Sequence, residues 1–365
     1  MRHYLLTSLV LLPLLSFSQA NAFPELVRHG YTSCTACHVS PAGGGLLTDY
    51  GRELSRDVMS TWGREGETKA LYGALPKTNW LSWGGDFRSI QRYLENPRAQ
   101  EARYLWMQED LEVGVKVHKD VSFVYGYGWN DFEKKWQSPK HFVLWQLDEK
   151  ASLQVGKAYP NYGLNISDHT TFIRTNTNFG LGFETYLAGL NWMNEKGSFS
   201  LQGLVGRPDD LELEKEKGFV ARGQLNLWDS SHLGASYYQA ANDTRKRELF
   251  GVHFVGGYSP QLFHMLELDY ESKQGIAPRN DYQVAAYEYQ RLGYEVYQGV
   301  IPYLIQEWAK TNLTKENTAI DSYGLGLQLF PRPHFEITFQ WIKKRNPQEF
   351  SNHYDYAWML MHYYL

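Results

Sequence analysis

From about Trp80 to the C-terminus the chain alternates between apolar and polar or small residues. Successive side chains of a β-strand point to opposite faces, so a period of two marks a strand with two unlike faces. In 121–130, Val121, Phe123, Tyr125, Tyr127 and Trp129 alternate with Ser122, Val124, Gly126, Gly128 and Asn130. In 219–227, Phe219, Ala221, Gly223, Leu225 and Leu227 alternate with Val220, Arg222, Gln224 and Asn226. In 335–341, Phe335, Ile337, Phe339 and Trp341 alternate with Glu336, Thr338 and Gln340. The same holds for Tyr323, Leu325, Leu327 and Leu329 against Ser322, Gly324, Gly326 and Gln328. About sixteen such stretches can be drawn, near 80–94, 102–118, 121–131, 141–147, 150–157, 180–193, 198–206, 217–228, 231–241, 247–257, 261–272, 281–291, 294–308, 319–330, 334–344 and 354–365.

Short and long connections alternate between them. The short ones include His118-Lys119-Asp120, Asp148-Glu149, Asn194-Glu195-Lys196-Gly197, Asp229-Ser230 and Tyr258-Ser259-Pro260; the long ones are 158–179, 207–216, 273–280, 309–318 and 345–353. Outer-membrane barrels have an even strand count, short periplasmic turns and longer outer loops. The chain holds 26 Tyr, 18 Phe and 12 Trp, yet its mean hydropathy is −0.49. After residue 22 no apolar run reaches the roughly 18 residues of a spanning helix. A barrel accounts for both facts, because its strands show lipid one face only and its aromatics gather at the two interfaces. The last stretch supports this: Ala357, Met359, Met361, Tyr363 and Leu365 form one apolar stripe, although Leu365 stands where such barrels usually carry an aromatic. The expected fold is therefore all-β, a transmembrane antiparallel β-barrel of about 16 strands behind a small α-helical segment. A soluble β-sandwich or β-helix is the competing architecture. The net charge of −4 suggests neither a nucleic-acid binder nor a basic membrane-surface protein.

The N-terminal part differs. Arg2, an apolar core from Leu5 to Phe17 and an Ala20-Asn21-Ala22 site read as a signal peptide over 1–22. Its core is too short to cross a bilayer. Residues 23–79 then form a small segment and linker, and 80–365 the barrel. Loop phase puts both termini on the periplasmic side. Within the small segment stands Cys34-Thr35-Ala36-Cys37-His38, a C-x-x-C-H, the attachment pattern of a c-type haem. Each thiol can add to one haem vinyl group, and His38 can then ligate the iron. A disulfide or redox pair is the competing reading. The export signal and the following His favour haem, and Cys34 and Cys37 are the only cysteines of the chain.

The second axial position is open to several groups. His29 and Met59 are the candidates within the small segment. By strand phase His118, His253 and His362 also point into the lumen, together with Glu112, Lys116, Arg222, Glu267 and Asp269. An open distal site is the remaining case. Thr48 is a candidate helix N-cap, with Leu47, Tyr50, Leu54 and Val58 at helical spacing behind it. The acidic loop from Asp209 to Glu216 presents oxygen ligands that could attract divalent cations, or is a solvated outer loop.

The stretch Tyr31-Thr32-Ser33-Cys34-Thr35-Ala36-Cys37-His38, the following Leu47-Thr48-Asp49-Tyr50-Gly51-Arg52 and the barrel pattern together resemble the fused cytochrome–porin family. The barrel is similar to that family in architecture only. The resemblance implies an outer-membrane monohaem c-type cytochrome, with covalent haem on Cys34 and Cys37 and His38 on the iron. The best known subgroup of that family is implicated in taking electrons from extracellular Fe(II). The implied role is an electron conduit between an extracellular donor or acceptor and a periplasmic carrier, such as a cytochrome. No substrate site carries over. A porin or transporter with a structural or regulatory haem, a barrel sheath for a separate multihaem cytochrome, and a haem peroxidase or sensor are the alternatives. One haem at the periplasmic mouth cannot bridge an apolar band of about 25 Å. The small segment is therefore expected to plug the lumen, or a partner must enter it.

Overall fold

The computed structural model describes residues 23–31, 34–69, 78–131, 134–166, 168, 170–179, 182–209, 216–276, 278 and 280–365. The signal peptide therefore lies outside the described residues, as do 70–77 of the linker and 210–215 of the acidic loop.

Sixteen strands close into one antiparallel barrel, as the alternation predicts. They are β1 (Leu81–Asn96), β2 (Ala99–His118), β3 (Val121–Asn130), β4 (His141–Gln146), β5 (Ala151–Ala158), β6 (Thr185–Asn194), β7 (Gly197–Gly206) and β8 (Lys217–Trp228). Then follow β9 (Ser231–Ala241), β10 (Arg245–Gly257), β11 (Leu262–Gly275), β12 (Tyr282–Tyr294), β13 (Val300–Lys310), β14 (Ala319–Arg332), β15 (Phe335–Asn346) and β16 (Phe350–Tyr364). A two-residue piece, Trp136–Gln137, pairs with the end of β3. Each strand pairs with its sequence neighbours, and β1 closes the ring on β16 from Asp86↔Tyr364 to Glu95↔Asp355. No sheet edge is left open, which a bilayer requires because lipid cannot satisfy a free N–H or C=O.

The burial pattern is inverted relative to a water-soluble core. Along β7, Ser200 and Gln202 are buried while Phe199, Leu201 and Val205 are exposed. Along β15, Glu336, Thr338 and Gln340 are buried while Phe339 and Trp341 are exposed. On β16, His362 and Tyr364 face in and Tyr363 faces out. Exposed Trp83, Trp106, Trp145, Trp192 and Trp228 contribute to an apolar belt fitted to lipid and its interfaces.

Four expectations change. The strand expected at 294–308 begins at Val300, because 295–299 makes a turn closed by Gly299 N–H donating to Glu295 Oε1 at 2.9 Å, with Gly299 at φ 77°. The loop expected over 345–353 shrinks, since Asn346 already pairs with Phe350. His118 does not face the lumen: a bulge between Lys116 and His118 breaks the phase and leaves it exposed beside Asp120. Finally, the long connection after β5 is not an outer loop. Its described residues, 159–166, 168, 170–179 and 182–184, run back into the barrel, with a short helix, Phe172–Thr175, among them.

That inward fold is held by lumen side chains. Asn161 N–H donates to Gln202 on β7 (2.8 Å), Gly163 N–H to Ser236 on β9 (3.0 Å), Leu164 N–H to Glu267 on β11 (2.7 Å) and Phe172 N–H to Glu307 on β13 (2.6 Å). Gly163 is required where it stands: its φ is +59°, and a Cβ would lie 1.9 Å from Glu267 Oε1.

The described turns 119–120, 147–150, 195–196, 229–230, 258–261, 295–299 and 333–334 share one end of the barrel with residues 23–61 and the C-terminus. This fits the expected topology. A tag inserted within 207–216 should be reached by antibody on intact cells, and one at Asp229-Ser230 should not; the opposite labelling would invert the barrel.

Candidate functional site

The described residues of 23–61 enter the short-turn mouth and occupy part of it. The entry is a 3₁₀ helix, Pro24–His29, ended by Gly30 at φ 83°. Arg28 fastens it: its guanidinium lies 2.9 Å from Glu295 Oε2 and donates to the Pro260 carbonyl at 3.0 Å. At the far side His334 N–H donates to Ser55 Oγ (2.9 Å), and Thr61 N–H to the Phe330 carbonyl (2.8 Å). Between these clamps stand the C-x-x-C-H turn, the glycines 43–45 and a short helix.

Glu295 is the ionic hub of the docking. Burial alone would raise its carboxyl, but His29, Arg28 and the Gly299 N–H outweigh that and hold it below the usual glutamate value. A carboxyl lowered in the folded state adds stability that is present above its unfolded value and lost as pH falls through the folded one. Acidification below about pH 4 should therefore loosen the N-terminal segment. Glu295→Gln should weaken docking at neutral pH by about 3 kcal/mol, the scale of breaking a buried pair. Protease cleavage within 23–61, followed against pH in both proteins, tests this; equal cleavage throughout would refute it.

The motif is a single 3₁₀ turn, Cys34–Ala36, in which His38 N–H donates to the Cys34 carbonyl at 2.9 Å. His38 then bridges to Leu47, and Val39 N–H donates to the Leu46 carbonyl at 3.0 Å, so 39–46 forms a closed strap. Thr48 caps the helix Asp49–Leu54 as expected, accepting from Gly51 N–H at 3.1 Å. The proposed stripe is corrected in part. Leu47 and Leu54 are buried, but Leu47 lies before the helix and Tyr50 is exposed, bonded to Tyr31 Oη. Gly51 lets the helix rest on the motif, since a Cβ there would meet the Cys37 carbonyl oxygen at 2.5 Å. Cys37 is fully buried and Cys34 partly so, and the two are not bonded to each other. Burial pushes the Cys37 thiol up to about 12. Burial also raises Cys34, against the opposing pull of Arg222.

His38 lines a cavity of about 170 Å³ inside the barrel. Phe142, Ile166, Phe179 and Tyr364 give it apolar faces, and Arg88, Lys140 and Arg174 give it cations. The turn offers two thiols and an imidazole, the donor set that a covalent haem takes, and the cavity has apolar walls; the thiols do not line it, and Arg88 and Lys140 are already paired with Asp86 and Glu112. The cavity is smaller than the macrocycle. Gly43, Gly44 and Gly45, at φ 78°, 70° and 66°, line it and would have to shift to seat one. Beyond the strap, Glu112 accepts from Leu46 N–H at 2.9 Å and pairs with Lys140 at 2.5 Å.

Two further cavities flank this one. At the long-loop end a cavity of about 330 Å³ is lined by Glu184, Arg207, Tyr238, Arg245 and Arg247, among others. It shares Pro160 and Phe179 with the His38 cavity. At the short-turn end a groove of about 800 Å³ is lined by Asp49, Arg52, Glu53, Lys69 and Lys116, among others. It shares Leu47 with the His38 cavity. Each of the two flanking spaces thus shares lining residues with the His38 cavity.

The remaining candidates are distributed as follows. His29 turns to Glu295, 3.8 Å away, and Met59 packs among Phe23, Leu26 and Phe330 with its sulfur 4.0 Å from Tyr364 Oη. Neither lines the His38 cavity. His253 faces in but lies 3.1 Å from Arg222. Glu267 and Asp269 hold the inward loop, Asp269 by accepting from Tyr162 Oη at 2.7 Å. His362 does line the cavity. The described ends of the acidic loop are taken by cations: Asp209 pairs with Lys157 at 2.9 Å and Glu216 with Arg247 at 3.0 Å. Among the described residues no group of three or more His, Cys, Asp or Glu is arranged to hold a metal ion.

No protein-family model matches the chain, and no curated protein does. Solved structures do. A loop L8 deletion mutant of the outer-membrane protein OmpT of Vibrio cholerae superposes with a TM-score of 0.60 at 10% identity, over 78% of this chain and 99% of the other. OprB of Pseudomonas putida gives 0.58 at 5% identity, over 78% and 94%. The outer membrane channel DcaP of Acinetobacter baumannii gives 0.56 at 10%, over 78% and 97%. The architecture is thus that of outer-membrane β-barrels, as porins have it. At such identities the likeness concerns the fold, and it bears out the barrel half of the resemblance drawn from the sequence.

Proposed function

We propose that this protein is a plugged outer-membrane barrel that passes electrons through one covalent haem. Cys34 and Cys37 would hold the haem and His38 its iron; the bound group supplies reversible one-electron chemistry. The chain's own residues close the lumen, exclude water from the site and bring both mouths close to it. The observation that carries this reading is the position of the C-x-x-C-H turn inside the barrel. It stands beside a cavity that shares Phe179 and Pro160 with a space at the long-loop end, and Leu47 with a groove at the short-turn end. An external donor or acceptor would dock in the first space and a periplasmic carrier, such as a cytochrome, in the second. A sheath for a separate multihaem cytochrome would need an open bore, which 23–61 and 159–184 occupy.

The porin-like fold favours a second reading, in which the barrel passes solutes and the haem is structural or regulatory. Vesicles that trap an electron acceptor separate the two. With haem-loaded protein in the membrane, an impermeant external reductant should reduce the trapped acceptor while ion conductance stays at background. Conductance of porin size without electron transfer would establish the second reading instead.

A further inference from the structure

We infer that the inward loop is the latch of the N-terminal plug, so that the two obstructions of the lumen are held and released together. The inference does not depend on the haem reading. The plug's strap, 39–46, and the first described stretch of the loop, 159–166, meet inside the barrel at residues 123 positions apart in the chain. There Asn165 Nδ2 donates to the Ala42 carbonyl at 2.6 Å. Within the strap Gly43 N–H donates to the Ser40 carbonyl at 2.9 Å, so Ala42 sits in a turn that faces the loop. Gly43, Gly44 and Gly45 follow in left-handed backbone, which brings the strap back to Leu46.

Asn165 is itself fixed. Its Nδ2 also donates to Asn161 Oδ1 at 3.2 Å, and its oxygen accepts from the Arg174 guanidinium at 3.5 Å. Asn161 reaches the wall at β7 twice, through Nδ2 to Ser200 Oγ at 3.0 Å and through its N–H to Gln202 at 2.8 Å. Arg222 on β8 donates to the Gly163 carbonyl at 3.0 Å. On its other side the strap is held by Glu112 of β2, which accepts from Leu46 N–H at 2.9 Å. The strap is thus gripped from two directions, directly by β2 and through the loop by β7 and β8. The loop leaves β5 at Ala158 and enters β6 at Thr185, and its Pro160, Phe179, Phe183 and Glu184 line the cavity at the long-loop end. A displacement of the loop at that end therefore acts on a segment that enters by the opposite mouth.

Hydrogen exchange of the full-length protein in detergent, read by mass spectrometry, tests the latch. Two strap amides report on it: Val39, which donates to the Leu46 carbonyl, and Leu46, which donates to Glu112. Asn165→Ala should speed their exchange about fivefold, the effect of losing one net hydrogen bond. Asn165→Asp keeps the size of the side chain and an acceptor for Arg174 but cannot donate when ionised. It should act in the same direction, and it serves if the alanine variant does not fold. Gln202→Ala removes a tie between loop and wall and should also speed strap exchange. In all three variants the Thr61 amide, bonded to the Phe330 carbonyl at the mouth, should keep its wild-type rate. Coupling acts in both directions. A barrel lacking residues 23–75 should therefore exchange faster at Leu164, whose N–H donates to Glu267. Unchanged strap exchange in the Asn165 variants, or unchanged loop exchange without the plug, would make the two obstructions independent. Equal acceleration at the strap and at Thr61 would overturn the latch as well, since it reports a general loosening.

Discussion

Removing residues 23–75 should turn a closed barrel into an ion-conducting one. The wall does not depend on the plug for its own closure. Each strand is paired on both sides, and β1 meets β16 over ten consecutive residue pairs. The plug is fastened by discrete contacts at the short-turn mouth: Arg28 to Glu295 and Pro260, Ser55 to His334, Thr61 to Phe330. Its loss empties the half of the lumen that holds the motif. The other obstruction remains, because the connection 159–184 stays tied to Gln202, Ser236, Glu267 and Glu307. Planar-bilayer recording should accordingly show no steps for the intact protein. The deletion should give small, regular steps, and a second deletion that shortens 159–184 should give larger ones. Electron transfer to a trapped acceptor should vanish in both deletions. If conductance does not change when 23–75 is removed, the segment is not the plug. If the intact protein already conducts at porin size, the solute-passing reading holds.

The barrel was legible because lipid and lumen impose opposite demands on alternate residues. Phe219 to Leu227, Phe335 to Trp341 and Ala357 to Leu365 carry that demand openly in the sequence. What misled was local. The turn at 295–299 contains Val296 and Tyr297, both exposed and apolar, so its strand-like residues concealed a turn closed by one carboxylate and one glycine. At His118 a single bulge displaced the phase. The inward course of the described residues between 159 and 184 depends on acceptors from β7, β9, β11 and β13, residues 39 to 135 positions away in the chain. No window of sequence contains that relation. The site divides the same way. Cys34, Cys37 and His38 stand together in the chain, so their motif is legible without the fold. Phe179, Leu47 and His362 come to the same cavity from three distant segments, and only the folded chain assembles them. His29 and Met59 lie near the motif in sequence, yet they serve the clamp and the packing at the mouth.

Replacing both Cys34 and Cys37 by Ala should abolish covalent haem while leaving the barrel folded. On the haem reading each thiol would account for one bond to the ring, so haem staining after denaturing electrophoresis should disappear in the double variant. Either single variant should keep a fraction. The fold should tolerate the change, because Cys37 to Ala removes one sulfur from a small buried site at about 1 kcal/mol. Heat-modifiable migration in detergent checks that. Cys37 is fully buried under the backbone of Gly51. A haem held by Cys37 would therefore have to be attached before the plug closes. Wild-type barrel refolded without haem and then given haem and reductant should stay unmodified, whereas the same chain treated while unfolded should become modified. Haem staining that survives in the double variant would place the attachment elsewhere. Efficient attachment to the refolded barrel would show that the plug opens far enough to expose Cys37, and the closed lumen would then be one state of a moving segment.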